Sequence, residues 1–207
     1  MNTLLIVDLQ NDFCPGGPLA VPQSDEVIPV VNCLLSRFDL VVATQDWHPA
    51  DHGSFAANHT GKQPGEVIQL DGLDQILWPT HCVQNSTGAE FHPLLETSRI
   101  AKVFRKGTDP RIDSYSGFFD NGRRASTGLA DYLREQGVAR LYVCGLATDY
   151  CVKFTALDAV ELGLETYLIQ DACRAVNLQR DDADRALADM QSAGVRLTAA
   201  DCVPDMP

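Results

Sequence analysis

At 207 residues, 45% of them hydrophobic and 21% charged, the chain is long enough for one sizeable core, yet it holds no apolar run near the roughly 18 residues that span a bilayer. A formal net charge of -12 with dispersed Lys and Arg excludes nucleic acid and anionic membrane as expected partners and favours a small substrate that is not strongly anionic. Seven cysteines without a CxxC pair argue against a disulfide framework or a cysteine-only zinc site, and for a reducing, cytoplasmic setting.

The first residues, MNTLLIVDLQNDF, lack a basic leader ahead of an apolar stretch, so no secretion signal is expected. TLLIVD (3–8) reads as a strand. SDEVIPVVNCLLSRF (24–38) reads as a helix with Ser24 as a plausible cap and an awkward Pro29. LVVATQD (40–46) is a second strand. Residues 47–100, rich in Gly, Pro, His and Asn, fit no clean element, and a structureless stretch of that length is usually functional. Then follow a strand AKVFRK (101–106), a helix 126–137, a strand RLYVCG (140–145), a helix 148–163, a strand ETYLIQD (165–171), a helix 181–194 and a strand VRLTAA (195–200). Strands alternating with helices imply a parallel sheet, because each parallel connection needs a crossover. The expected fold is a three-layer α/β sandwich with a mostly parallel sheet of five or six strands flanked by helices. It forms one domain over 1–207, with residues 47–100 as an irregular insertion for metal and substrate.

Open α/β sheets bind ligands beyond the carboxyl ends of their strands. Asp8, Asp46 and Lys106 each end a strand, and GLATDYC follows another, so four strand ends deliver reactive groups to one rim. Any one of them alone is more often an ordinary polar residue; the coincidence is what points to chemistry. Cys151 lies at the start of a helix, with Thr148 or Asp149 as a possible cap, where the helix dipole favours a thiolate. A cysteine nucleophile needs a proton acceptor that later protonates the leaving group, and Asp8 can serve both ends, with Lys106 holding it ionised. Asp46 and His48 lie two apart and project to one side of an extended backbone, which suits a metal. Among the loop histidines, His81 is better placed as a third ligand than His52, His59 or His92, though spacing alone does not choose. A His/His/Asp set leaves positions open for water and substrate.

The motifs VDLQNDF, TQDWHP, WPTHCVQ, FRKG, DSYSGFFD and GLATDYCVKFTALDA, in order from residue 3 to about residue 177, closely resemble those of the nicotinamidases, within the isochorismatase-like hydrolases. The resemblance implies hydrolysis of nicotinamide to nicotinate and ammonia through a Cys151 thioester, as a step in NAD salvage, with pyrazinamide as a second substrate. It assigns Asp8, Lys106 and Cys151 as catalytic residues and Asp46, His48 and His81 as ligands of one divalent ion, zinc first, with iron or manganese as alternatives. It places Phe13, Trp78, Tyr115 and Leu146 at the substrate, puts a cis peptide between Leu146 and Ala147, and builds an oxyanion hole from the N–H groups of Ala147 and Cys151. A further metal-side role for His52 or Glu66 stays open, as does a homo-oligomer. The competing expectations are an amidohydrolase acting on carbamoyl compounds, an isochorismatase, and a non-catalytic binding protein that keeps the fold.

Overall fold

The structure, a computed structural model, describes residues 1–204; the last three residues of the domain expected over 1–207 lie outside them. Six strands form one parallel sheet: β1 (Asn2–Val7), β2 (Leu40–Asp46), β5 (Lys102–Lys106), β6 (Arg140–Leu146), β7 (Glu165–Arg174) and β8 (Arg196–Thr198). Their order is β5-β2-β1-β6-β7-β8, and every pairing in this sheet is parallel. Leu4, Leu5, Ile6 and Val7 are all fully buried, which is why β1 reads as a continuous apolar run rather than an alternating one. The flanking helices are α1 (Val27–Leu34), α2 (Leu129–Glu135), α3 (Lys153–Glu161) and α4 (Asp182–Ala193). The α1 helix packs on β6 and β7, while α3 packs on β7 and α4. The result is the three-layer α/β sandwich. Among the described residues, no helix is long and apolar enough to cross a membrane.

The chain begins in the middle of the sheet, builds outward through β2 and β5, then returns to the other side of β1 with β6. Connections leaving β1 and β6 therefore run in opposite directions, and a crevice opens between their carboxyl ends. That switch point positions the site.

Several expected boundaries shift. The helix expected over 24–38 is α-helical only at Val27–Leu34, between single 3-10 turns, and Ser24 makes no side-chain cap. Pro29 is tolerated because it sits in the first turn, where its missing N–H has no helical partner. The stretch 47–100 is not structureless throughout. It contains an antiparallel hairpin, β3 (Val67–Leu70) and β4 (Leu73–Ile76), closed by Asp71 and Gly72 at φ 49° and 84°. Two left-handed residues in sequence are what a tight hairpin turn requires, and an Asp-Gly pair supplies them.

Candidate active site

Beyond Val7 the backbone turns sharply, with Asp8 at φ 49°, and the Asp8 carboxylate drops into the crevice, 1% exposed. Lys106, at the end of β5 and 2% exposed, reaches across to it. Its Nζ lies 2.9 Å from Asp8 Oδ2 and 2.8 Å from Asp46 Oδ1, donates to the Ser114 carbonyl at 3.0 Å and meets Cys151 Sγ at 3.3 Å. Thr44 Oγ1 donates to Asp8 Oδ1 at 2.7 Å and fixes the carboxylate from the β2 side. Asp8, Lys106 and Cys151 thus share one buried contact network although they come from three strand ends.

Cys151 does not sit in the first turn of a regular α-helix. After the cis Leu146–Ala147 bond the chain makes a π-helical turn over Thr148–Val152, which then runs into α3. Neither Thr148 nor Asp149 caps it. The Asp149 carboxylate instead accepts from the N–H groups of Val176 and Asn177, at 2.9 and 2.7 Å. The thiolate expected from a helix start is also corrected. Burial pushes the Cys151 thiol well above its ordinary value, Lys106 opposes this, and Asp8 and Asp46 reinforce it. Asp8 is itself raised, by burial first, against the pull of Lys106. Burial thus raises the proton affinity of both the thiol and the carboxylate.

Asp46, His48 and His81 are all buried, and their candidate ligand atoms lie within 4.8 Å of one another. His48 Nδ1 donates to the Gly107 carbonyl at 2.8 Å and His81 Nδ1 donates to the Pro79 carbonyl at 2.7 Å. A carbonyl only accepts, so these bonds fix the protons on Nδ1 and leave both Nε2 lone pairs facing Asp46 Oδ2, at 3.1 and 3.5 Å. Lone pairs converging on a carboxylate need a cation among them. The charge count agrees: Lys106 offsets only one of the carboxylates Asp8 and Asp46. Burial would raise Asp46, but the positive charge around it, that of Lys106 included, holds the carboxyl well below its usual range. The donor set fits one divalent ion.

A second buried set, His48, His52 and Asp113, is equally compact but fits less well. It borrows His48, both Asp113 oxygens already accept hydrogen bonds, from Ser114 N–H and Gln75 Nε2, and His52 Nδ1 accepts from the Ser54 N–H. Burial pushes His52 down to about 4, so it is a neutral ring packed 4.2 Å from the His48 ring centroid. Glu66 lies at the surface, paired with Lys62 at 2.8 Å.

Gly107 admits no side chain here. Its φ is +65°, and an added Cβ would fall 2.3 Å from His48 Cε1 and 2.6 Å from Nδ1. Gly107→Ala is expected to displace His48 and weaken divalent-ion binding by about tenfold or more, read by competition with a chromophoric chelator.

Above Cys151 opens a small pocket whose walls include Phe13, Trp78, Tyr115, Ala147, His81 and Asp46. Leu146, expected at the substrate, is not among its walls; that side chain is 1% exposed within the core, and the neighbouring Ala147 lines the cavity instead. One wall is a hydrogen-bonded chain. Gln75 Nε2 donates to Asp113 and to the Tyr115 hydroxyl, at 3.0 and 3.3 Å, and Trp78 Nε1 donates to the same hydroxyl at 3.2 Å. Burial first, then Asp113, holds the Tyr115 phenol well above its ordinary value, so it stays neutral. Tyr150 meets Trp78 edge-on at 4.9 Å. Sequence reasoning missed Thr44, Asp113 and Tyr150 as site residues, although Asp113 opens DSYSGFFD and Tyr150 precedes the cysteine in GLATDYC.

A parallel α/β sheet that gathers a thiol, a carboxylate and an ammonium at its switch point, beside a His/His/Asp cluster, defines an α/β enzyme with a candidate cysteine nucleophile. Comparison with known proteins narrows this class. The isochorismatase domain model matches residues 2–202. The nicotinamidase of Escherichia coli K12 is 57% identical over 203 residues, covering 96% of this chain and 95% of that protein. Among solved structures, the Acinetobacter baumannii nicotinamidase/pyrazinamidase superposes with a TM-score of 0.94 at 48% identity, covering 97% of this chain and 96% of the other. The pyrazinamidase of Pyrococcus horikoshii in complex with zinc gives 0.79 at 40% identity, covering 96% and 98%. The chain belongs to the isochorismatase family, on its nicotinamidase branch.

Proposed function

We propose that this protein hydrolyses nicotinamide to nicotinate and ammonia, with Asp8, Lys106 and Cys151 as the catalytic residues. The observation that carries this reading is the convergence of the three side chains through Lys106 Nζ beneath a small aromatic-walled cavity. The 57% identical E. coli nicotinamidase supports the choice of substrate.

The pyridine ring enters between Phe13 and Trp78, with Tyr115 beside it. Asp8 takes the Cys151 proton as sulfur attacks the carboxamide carbon, and the electron pair of the C=O bond moves to oxygen. The N–H groups of Ala147 and Cys151 stabilise that oxyanion. On collapse the C–N bond breaks, and Asp8 returns its proton to the departing nitrogen, which leaves as ammonia. Water then attacks the thioester carbonyl, Asp8 accepting its proton, and the Cys151 thiol is regenerated with release of nicotinate. Lys106 offsets the charge of Asp8 and contacts the sulfur throughout.

Asp46, His48 and His81 would hold one divalent ion, zinc first and iron or manganese as alternatives. When bound, such an ion supplies positive charge and a coordination position for an aromatic ring nitrogen. Pyrazinamide, which keeps both a ring nitrogen and a carboxamide, is a second substrate. The reaction is a step of NAD salvage on a small molecule, a role that suits a cytoplasmic enzyme. Ammonia release from nicotinamide tests the reading against a carbamoyl compound assayed in parallel. Treatment with a chelator is expected to abolish turnover of nicotinamide, and re-addition of one of the three ions to restore it. Faster turnover of the carbamoyl compound would overturn the substrate assignment.

A further inference from the structure

We propose that Gln10 is a positioning residue for the cation site, its side-chain amide taking the place of the strand neighbour that Asp46 lacks. The proposal rests on the reading of Asp46, His48 and His81 as metal ligands.

The backbone pairing of β1 with β2 ends at Ile6 beside Ala43, because the chain departs from the sheet at Asp8. On its other edge β2 stays paired with β5 out to Asp46 beside Lys106. The inner edge of Asp46 is therefore left with a buried N–H and C=O and no strand to meet them, and such groups are costly to leave unpaired. Gln10 meets both. Its Oε1 accepts from the Asp46 N–H at 2.8 Å, and its Nε2 donates to the Asp46 carbonyl at 2.8 Å. A carboxamide presents the same donor and acceptor as a peptide group, so one side chain continues the ladder by a residue. The second Nε2 hydrogen goes to the Ala89 carbonyl at 2.9 Å. Gln10 is itself fully buried, and its own N–H donates to the Asp8 carbonyl at 2.8 Å.

These bonds tie together the bend that carries Asp8, the strand end that carries Asp46, and the segment downstream of His81. Asp46 is the residue whose geometry matters most, since one oxygen meets Lys106 at 2.8 Å and the other faces the two imidazoles. A shift of its backbone moves the carboxylate away from His48 and His81 while leaving the sheet core in place. Groups that orient a ligand in this way affect metal affinity by about 10- to 100-fold.

The test uses protein stripped of metal. Zn²⁺ and Co²⁺ affinities are measured by chelator competition, the visible absorption of bound Co²⁺ reports ligand geometry, and thermal unfolding of the metal-free protein reports the fold. Gln10→Met, similar in length but without hydrogen bonds, is expected to bind both ions about 10- to 100-fold more weakly and to alter the Co²⁺ spectrum. Gln10→Glu keeps the acceptor for the Asp46 N–H but turns an oxygen toward the Asp46 and Ala89 carbonyls, so it too should weaken binding and alter the spectrum. If Gln10→Met does not fold, Gln10→Glu decides the comparison. Gln45→Met is the structural control, because Gln45 Nε2 also donates to Ala89, at 2.8 Å, but its side chain makes no bond to Asp46. It should bind metal within about twofold of wild type. Wild-type affinity and spectrum in the Gln10 variants would overturn the proposal, as would equal weakening in Gln45→Met. Failure of the wild-type protein to bind either ion would instead overturn the metal reading itself.

Discussion

Replacing Cys151 with alanine is expected to lower ammonia release from nicotinamide by on the order of 10³-fold or more while leaving the protein folded, since removal of a nucleophile from a concerted set costs at least that much. The thiol is 8% exposed and, among the described residues, its hydrogen-bond partner is the tip of Lys106, so its loss opens little space and strands no buried group. The thermal unfolding midpoint should stay close to that of wild type. Cys151→Ser is the sharper control, because it keeps the shape and a polar atom but offers a poorer nucleophile, and it should be nearly as inactive. Rapid quench of the wild-type reaction, followed by mass spectrometry of the intact chain, should reveal an acyl adduct that both variants lack. Substantial turnover by Cys151→Ala would overturn the covalent scheme.

The same experiment bears on how the thiol is activated. Position at a helix start suggests a standing thiolate, but the structure seats Cys151 in a buried π-helical turn, where burial holds the proton on sulfur despite Lys106. Asp8 is raised in the same surroundings. A carboxylate raised in this way is a stronger base than an ordinary one, which favours its taking the thiol proton during attack. The thiolate need form only when substrate is present.

This contrast shows where sequence reading reached and where it stopped. Strand ends are local features, so the apolar runs led directly to Asp46, Lys106 and the GLATDYC loop, with Asp8 one residue past its strand. The cis peptide after β6 followed from the motif resemblance, but the π turn that carries Cys151 did not, because the residue pattern there reads as an ordinary helix start. Leu146 and Ala147 were separated by side-chain direction at a strand end, where a slip of one residue exchanges core for cavity. The Asp-Gly turn of the β3–β4 hairpin was present in the sequence but hidden among other Gly- and Pro-rich residues. Thr44 was missed because its bond to Asp8 spans 36 positions, and Asp113 because its tie to Gln75 spans 38. Such pairs exist only once the sheet has brought distant segments together.

Lys106→Met is expected to have the second largest effect, on stability as well as on rate. The ammonium sits between two buried carboxylates, and its removal leaves Asp8 and Asp46 facing each other without it. Breaking a buried ion pair from one side costs about 3–5 kcal/mol, so the denaturant midpoint of the metal-free variant should fall accordingly. Turnover should drop by about a hundredfold or more, the order of one preorganised electrostatic contact. The pH dependence has a definite sign. Lys106 lowers the proton affinity of Asp8 against the upward push of burial, so without it Asp8 rises further. Because Asp8 must be ionised to accept the thiol proton, the acidic limb of the residual pH–rate profile should move to higher pH. Stability follows the same linkage: a carboxyl raised in the native state holds protons that the unfolded chain has released, so the variant should recover stability as the pH falls toward the ordinary carboxylate range. Lys106→Arg should not rescue it, since a planar guanidinium cannot fill the compact position from which one ammonium reaches both carboxylates, the Ser114 carbonyl and the thiol. An acidic limb unchanged from wild type would show that Asp8 and Lys106 act independently and would separate Lys106 from the proton-transfer step.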